Sequence, residues 1–152
     1  MNVFYEGQVL WSQIDANQHM RHSAYADLGA QARLNMLESL GLKPTNLFGF
    51  KIGPVLFKEE LSYLREIALG DHIKITAEVS RSRPDGSRWT IRHEVFRGDG
   101  IKAAIIMAHG AWIDMEKRKL AVLPATLSLL FMKAPRTEDY TEETKPSATQ
   151  TK

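Results

Sequence analysis

Asp15, Asn17 and His19 occupy alternate positions in WSQIDANQHMRHSAY (residues 11–25), just ahead of a run with helical spacing. In an extended segment the three side chains project to one side, and in a helical turn the first and last share a face. They can therefore meet one ligand in either form. A carboxylate can orient and deprotonate water or attack a carbonyl itself, and an imidazole can exchange a proton near neutral pH. The free N–H groups at the start of the following helix suit a developing oxyanion. The other reading is local: Asp15 and Asn17 are good capping residues, and a lone His19 would be an ordinary loop histidine.

The surrounding pattern predicts the elements that hold this segment. A short strand, about Val3 to Trp11, comes first. In SAYADLGAQARLNMLESLG, residues Tyr25, Leu28, Ala32, Met36 and Leu40 recur at helical spacing, with Ser23 as N-cap and Gly41 just past the C-terminus. Gly29, Ala30 and Ala32 are small, as a closely packed helix requires. A loop carrying Gly41, Pro44, Gly49, Gly53 and Pro54 follows. The period then changes to two. Strands are expected at Leu56 to Leu69, Ile73 to Val79 and Trp89 to Val95, with turns at Gly70-Asp71, Pro84-Asp85-Gly86 and Gly98-Asp99-Gly100. The nearly continuous apolar run IKAAIIMAHGAWIDM reads as a central strand covered on both faces. A short helix, about Ala125 to Met132, closes the unit.

One long helix followed by four consecutive antiparallel strands is an α+β meander, its sheet of about five strands wrapped around the helix. The exposed edge of such a sheet suits pairing with a second copy. Residues 1–133 form the expected domain. Residues 134–152, APRTEDYTEETKPSATQTK, are polar and read as a mobile tail, or an arm ordered only against a partner subunit.

Composition excludes several classes. The chain has 152 residues, 43% hydrophobic and 25% charged, as in a globular protein. No apolar run approaches the roughly 20 residues that span a bilayer. The N-terminus lacks a signal-peptide pattern, so a cytoplasmic location is expected. The absence of cysteine removes disulfides, thiolate metal sites and a cysteine nucleophile. A net charge of +2 is too small for a nucleic-acid footprint. The basic stretch at Arg81, Arg83 and Arg88 reads first as a solvated hairpin tip.

Three stretches, WSQIDANQHMRHSAY, LSYLREIALGD and GDGIKAAIIMAHGAWIDMEKRKLAVLP, resemble the hotdog-fold acyl-CoA thioesterases of the 4-hydroxybenzoyl-CoA thioesterase type, from about Phe4 to Pro124. The D-x-N-x-H spacing is also similar to that of acyl-ACP thioesterases of the same fold. The resemblance implies hydrolysis of an acyl-CoA, or less favourably an acyl-carrier protein, without metal or cofactor, by a homodimer or homotetramer. It implies Asp15 as the catalytic carboxylate, base or nucleophile, with Asn17 and His19 positioning the thioester or water. The helix start after Ser23 would bind the oxyanion, Tyr25 could line the acyl pocket, and Arg81, Arg83 or Arg88 could meet the anionic end of CoA. Glu66 falls where acyl-ACP thioesterases carry an acid followed by cysteine. Here Ile67 follows, and Glu66 reads as a surface glutamate. Strand alternation sends Glu59 and Glu60 to opposite faces. His22, His72, His93 and His109 show no metal spacing, and His93 and His109 read as core or interface residues.

Two other functions compete. A hotdog hydratase carries D-x-N-x-x-H, one residue longer than the motif here. A non-catalytic acyl-CoA or acyl-carrier binding protein needs none of Asp15, Asn17 and His19 together.

Overall fold

The computed structural model describes residues 1–144. Helix α1 (His22–Ser39) buries Ala24, Tyr25, Leu28, Gly29, Ala32, Met36 and Leu37, which recur three or four apart along one face. It starts one residue before Ser23, because Arg21 adopts extended backbone and Ser23 Oγ accepts from the Arg21 guanidinium instead of capping the helix. At the other end Gly41 takes φ +91°, and the Leu42 N–H donates back to Leu37 O at 2.9 Å. That closure satisfies late carbonyls and needs glycine. Gly29 sets how close the helix lies to the sheet: a Cβ there would stand 2.9 Å from Ile106 Cδ1.

Among the described residues the sheet has eight strands, more than the five or so expected: β1 (Val3–Gln8), β2 (Ile52–Tyr63), β3 (His72–Thr76), β4 (Glu78–Ser82), β5 (Arg88–Phe96), β6 (Lys102–Asp114), β7 (Lys119–Ala121) and β8 (Arg136–Glu142). The expected strand at Ile73 to Val79 is two, because the Ala77 N–H turns to Asn2 O at 3.1 Å and leaves the ladder. Both halves pair with β5; β1 extends the edge beside β3 and β8 the edge beside β4.

The four-strand meander is not formed. β2 pairs with β6 along its length, Ile52 opposite Asp114 and Tyr63 opposite Ala104, and not with β3. β6 therefore lies between β2 and β5, which explains its apolar run: Ala103, Ala104, Ile106, Ala108, Ala111 and Trp112 are all buried. β2 also ends well before Leu69. The N–H groups of Leu64 and Arg65 both donate to Ala103 O, at 2.8 and 3.0 Å, and turn the chain out of the sheet.

Two further segments differ from expectation. Residues Pro44–Gly49, expected as loop, form helix α2 with proline in its first turn. The supposed tail contributes β8, parallel to β4, with Tyr140 Oη 2.8 Å from Ser82 Oγ and Glu143 N–H donating to Ser82 O at 2.8 Å. Edge backbone bonds, with Tyr140 packed against the core, hold this polar segment; residues 145–152 lie outside the described part. Helix α3 (Ala125–Phe131) seats Phe131 against Trp112. Two apolar clusters result, one around Tyr25 and Ile106 near the start of α1, the other around Met36, Trp89 and Trp112 near its end.

Candidate active site

The D-x-N-x-H segment folds as a tight loop closed on itself. After a turn of 3-10 helix at Trp11–Gln13, Ile14 bridges Met20, and the Asp15 N–H donates to His19 O at 2.9 Å. Asp15 Oδ1 accepts the N–H groups of Asn17 (2.8 Å) and His19 (3.2 Å). Gln18 sits at φ 65° to make the turn. Asp15 thus caps a loop, not a helix. Neither the extended nor the helical form expected for residues 15–19 applies: Asp15 and His19 face each other across the loop, and Asn17 stands exposed at its tip.

The loop docks on the segment released by the end of β2. Met20 N–H donates to Ile67 O at 2.7 Å and His19 pairs with Ala68. This docking brings His19 Nε2 to 3.0 Å from Glu66 Oε2, both side chains remaining partly exposed. Glu66, read from sequence as a surface glutamate, is exposed and is also the carboxylate that orients His19. The pairing rests on a contact between distant segments, for which the spacing of residues held no signal.

Asp15 stands between two depressions. One, of about 490 Å³, is walled by Trp11, Ile14, Gln18, Ala68 and Leu69. The other, of about 330 Å³, contains His19, His22, Tyr25, Tyr63 and Glu66. In the second, the buried Tyr25 ring meets Tyr63 edge-on at 5.1 Å. Burial raises the Tyr25 phenol above its ordinary pKa, with the neighbouring Tyr63 and then the Asp15 charge adding to the effect. Its proton is retained at neutral pH. At the start of α1 the N–H groups of His22 and Ser23 have no partner among the described residues. Trp11, Tyr63 and Leu69 were not legible as site residues: they are exposed apolar side chains whose neighbours come from other segments.

The arginines expected to meet CoA are elsewhere in the chain. Arg81 and Arg83 lie 4.0 and 3.3 Å from the Glu143 carboxylate, and Arg88 lies over the Phe57 ring. Their hairpin packs on α3, where Gly86 approaches Phe131, at the far end of α1 from Asp15. The folded chain does not bring them together with Asp15.

The remaining acids and histidines sort by sheet face. Glu59 turns inward, 3.8 Å from Arg33 on α1. Glu60 turns outward and bonds His109 Nε2 at 2.9 Å, while Thr90 Oγ1 meets His109 Nδ1. His93 is fully buried: its Nδ1–H donates to Thr76 O at 2.8 Å, which leaves Nε2 to accept from Arg33 at 2.9 Å. Burial, then the Arg33 charge, push its pKa down to about 3 against the pull of the Thr76 bond. Among the described residues no cluster of three histidines or acids is placed to hold a metal, and no helix is long and apolar enough to cross a membrane.

A long helix laid against one face of an antiparallel sheet, with the acid-bearing loop at the helix start, is the hotdog fold. A family model described as the thioesterase-like superfamily matches residues 9–131, and the chain belongs to that superfamily. Its fold is similar to the hypothetical protein SAV2348 from Staphylococcus aureus, solved in complex with CoA, with a TM-score of 0.81 and 20% identity over 99% of this chain and 94% of that one. It is also similar to a DHNA-CoA thioesterase from Staphylococcus aureus (TM-score 0.79, 18% identity, 87% and 89% covered). YbaW, a probable thioesterase from Escherichia coli, is a further likeness (0.74, 19%, 87% and 98%). No curated protein matches the sequence.

Proposed function

We propose that the protein hydrolyses an acyl-CoA thioester to the free acid and CoA, with Asp15 as the catalytic carboxylate. The observation that carries this reading is the position of Asp15 between two depressions, one of which it shares with His22 at the start of α1. A thioester has two arms meeting at one carbonyl, and two concavities meeting at one carboxylate fit it. Membership of the thioesterase-like superfamily and the fold shared with a DHNA-CoA thioesterase support the same reading.

Asp15 Oδ1 is held by two backbone donors, while Oδ2 makes no hydrogen bond among the described residues. Oδ2 takes a proton from water, the water oxygen adds to the thioester carbon, and the oxyanion is met by the His22 and Ser23 N–H groups. Collapse breaks the C–S bond, and the proton returns to the CoA thiolate. His19, steadied by Glu66, orients the water or the thioester. Direct attack by Asp15 would instead form a mixed anhydride that water then cleaves. A single turnover in oxygen-labelled water distinguishes them: the base route puts the label only in the product acid, and label found in Asp15 marks an anhydride that water opened at the Asp15 carbonyl.

Thiol release from short, long and aromatic acyl-CoAs tests the function. Activity that disappears in a folded Asp15→Asn variant supports it, and the preferred acyl group gives the substrate class. Hydration of an enoyl-CoA, or saturable binding without cleavage, would overturn it. The edge of β2 away from β6 has no partner among the described residues, and we infer that a second copy pairs there. Light scattering checks the dimer.

A further inference from the structure

The Tyr25 hydroxyl takes no part in holding the fold together. The residue is 4% exposed and its ring lies edge-on to Tyr63, yet Oη makes no hydrogen bond among the described residues. Nor is the oxygen sealed: it keeps contact with the depression that Tyr25 shares with Asp15, His19 and His22. Tyr140 shows the contrast, its Oη lying 2.8 Å from Ser82 Oγ. A buried tyrosine ordinarily finds such a partner, because an unmet hydroxyl out of bulk water is costly. The free phenol at the wall of this depression is a donor left open to a ligand.

Its direction follows from the helix. Long side chains on an α-helix lean back toward the N-terminus, over the residues three and four positions earlier. For Tyr25 those are His22 and Arg21, at the start of α1. The hydroxyl therefore lies on the Asp15 side of its ring. Burial first, then Tyr63 and the Asp15 charge, raise its pKa and keep its proton in place. Asp15 takes its own hydrogen bonds from backbone N–H groups and none from the phenol. A neutral donor thus stands beside a carboxylate without being spent on it.

We propose that Tyr25 is a catalytic donor, its Oη–H giving a hydrogen bond to the thioester oxygen as that oxygen gains negative charge. The proton stays on Tyr25 throughout. Water adds to the thioester carbon, the carbonyl electron pair moves onto oxygen and is met by the phenol, and the pair returns as the C–S bond breaks. The assignment rests on the thioesterase reading.

Tyr25→Phe keeps the ring against Tyr63 and removes only the hydroxyl. No bond of the fold is lost, so the variant should melt at the wild-type temperature. Its kcat for thiol release should fall about 100-fold with KM little changed, as for a donor used only in the transition state. A lower melting temperature would mean that the hydroxyl serves the fold, and a wild-type kcat that it serves nothing; either overturns the proposal. Trifluorotyrosine, placed at Tyr25 alone, keeps the donor but ionises near neutrality. Its rate should fall as pH rises through that ionisation, while wild type, with its raised pKa, keeps its donor there. Asp15, His19, His22, Tyr63, Arg65 and Glu66 face the depression in both proteins, so the difference between the two profiles belongs to Tyr25. Coincident profiles would also overturn the proposal.

A last measurement needs no turnover. Benzoyl-CoA and octanoyl-CoA, isotopically labelled at the carbonyl carbon, are bound to Asp15→Asn and the infrared stretch of the carbonyl is read. The stretch should lie lower than in the double variant Asp15→Asn, Tyr25→Phe, because a donor weakens the double bond. Equal stretches, or no binding of either ester, would refute the contact. Should wild type cleave no acyl-CoA while the shift is present, the hydrolysis proposed above falls and the contact stands by itself.

Discussion

His19 and His93 each hold a charged partner from another element, but their surroundings are opposite. His19 sits on a loop with 39% of its side chain exposed, and Glu66 is 66% exposed. His93 is sealed under α1, both nitrogens bonded, its partner Arg33 also largely enclosed. Water and substrate can reach the first imidazole and not the second. The fold leaves an imidazole–carboxylate pair accessible near the start of α1, and fixes its interior with a histidine held neutral. The difference separates two settings of one residue type: an accessible imidazole can meet a ligand, while registry of a helix on a sheet is served by a buried one that stays neutral at working pH.

The comparison breaks first at Asp15. Asp15→Asn keeps an oxygen for the Asn17 and His19 N–H groups, so the loop should stay folded while thiol release drops by about 100-fold or more. Unchanged activity would move the chemistry elsewhere and leave Asp15 as a loop cap. In the interior, Gly110→Ala puts a Cβ 2.4 Å from both Trp89 Cη2 and Val55 O, the latter rigid backbone. A loss of about 2–3 kcal/mol in denaturant unfolding is expected, as for overpacking a core, with residual activity scaling with the folded fraction.

His93 supplies a pH test. Its pKa is about 3 in the fold against the ordinary 6.5, so the unfolded chain binds more protons between those values. The stability this histidine contributes is full above pH 6.5 and is lost as pH falls toward 3, by up to about 1.4 kcal/mol per unit. Arg33 is the charged group that faces it. His93→Leu should cost about 1–3 kcal/mol at pH 7 by leaving Arg33 and Thr76 O unpaired, and should flatten the slope below pH 6.5. An unchanged slope would mean that other groups set the acid limit. The smallest effect belongs to Glu66. An exposed pair contributes at most about 1 kcal/mol, so Glu66→Ala should lower kcat/KM by no more than about fivefold. A larger loss would make Glu66 a participant in the reaction.

Local pattern made much of the fold legible. The 3.6-residue period marked α1, Gly41 marked its end, and the unbroken apolar run marked β6 as a covered strand. The order of pairing was not legible, since β2 carries the same alternation whether its neighbour is β3 or β6. β8 escaped notice because its order comes from backbone bonds to β4 and from one aromatic side chain, Tyr140, which is too little for an apolar pattern. In the site, the spacing of Asp15 and His19 drew attention to both. The roles of Glu66, Tyr63 and Trp11 depend on where β2 ends and turns away, which the Leu64 and Arg65 bonds to Ala103 decide.

The three tryptophans also divide the molecule optically. Trp11, 80% exposed on the wall of the depression beside Asp15, will emit at long wavelength and be quenched readily by solutes. Trp89 and Trp112, packed edge to face in the interior, will emit at shorter wavelength and resist quenching. Difference spectra against Trp11→Phe therefore report the loop, and the variant alone reports the core. Occupancy of the groove beside the carboxylate and loss of interior packing can be followed as separate colours in one cuvette.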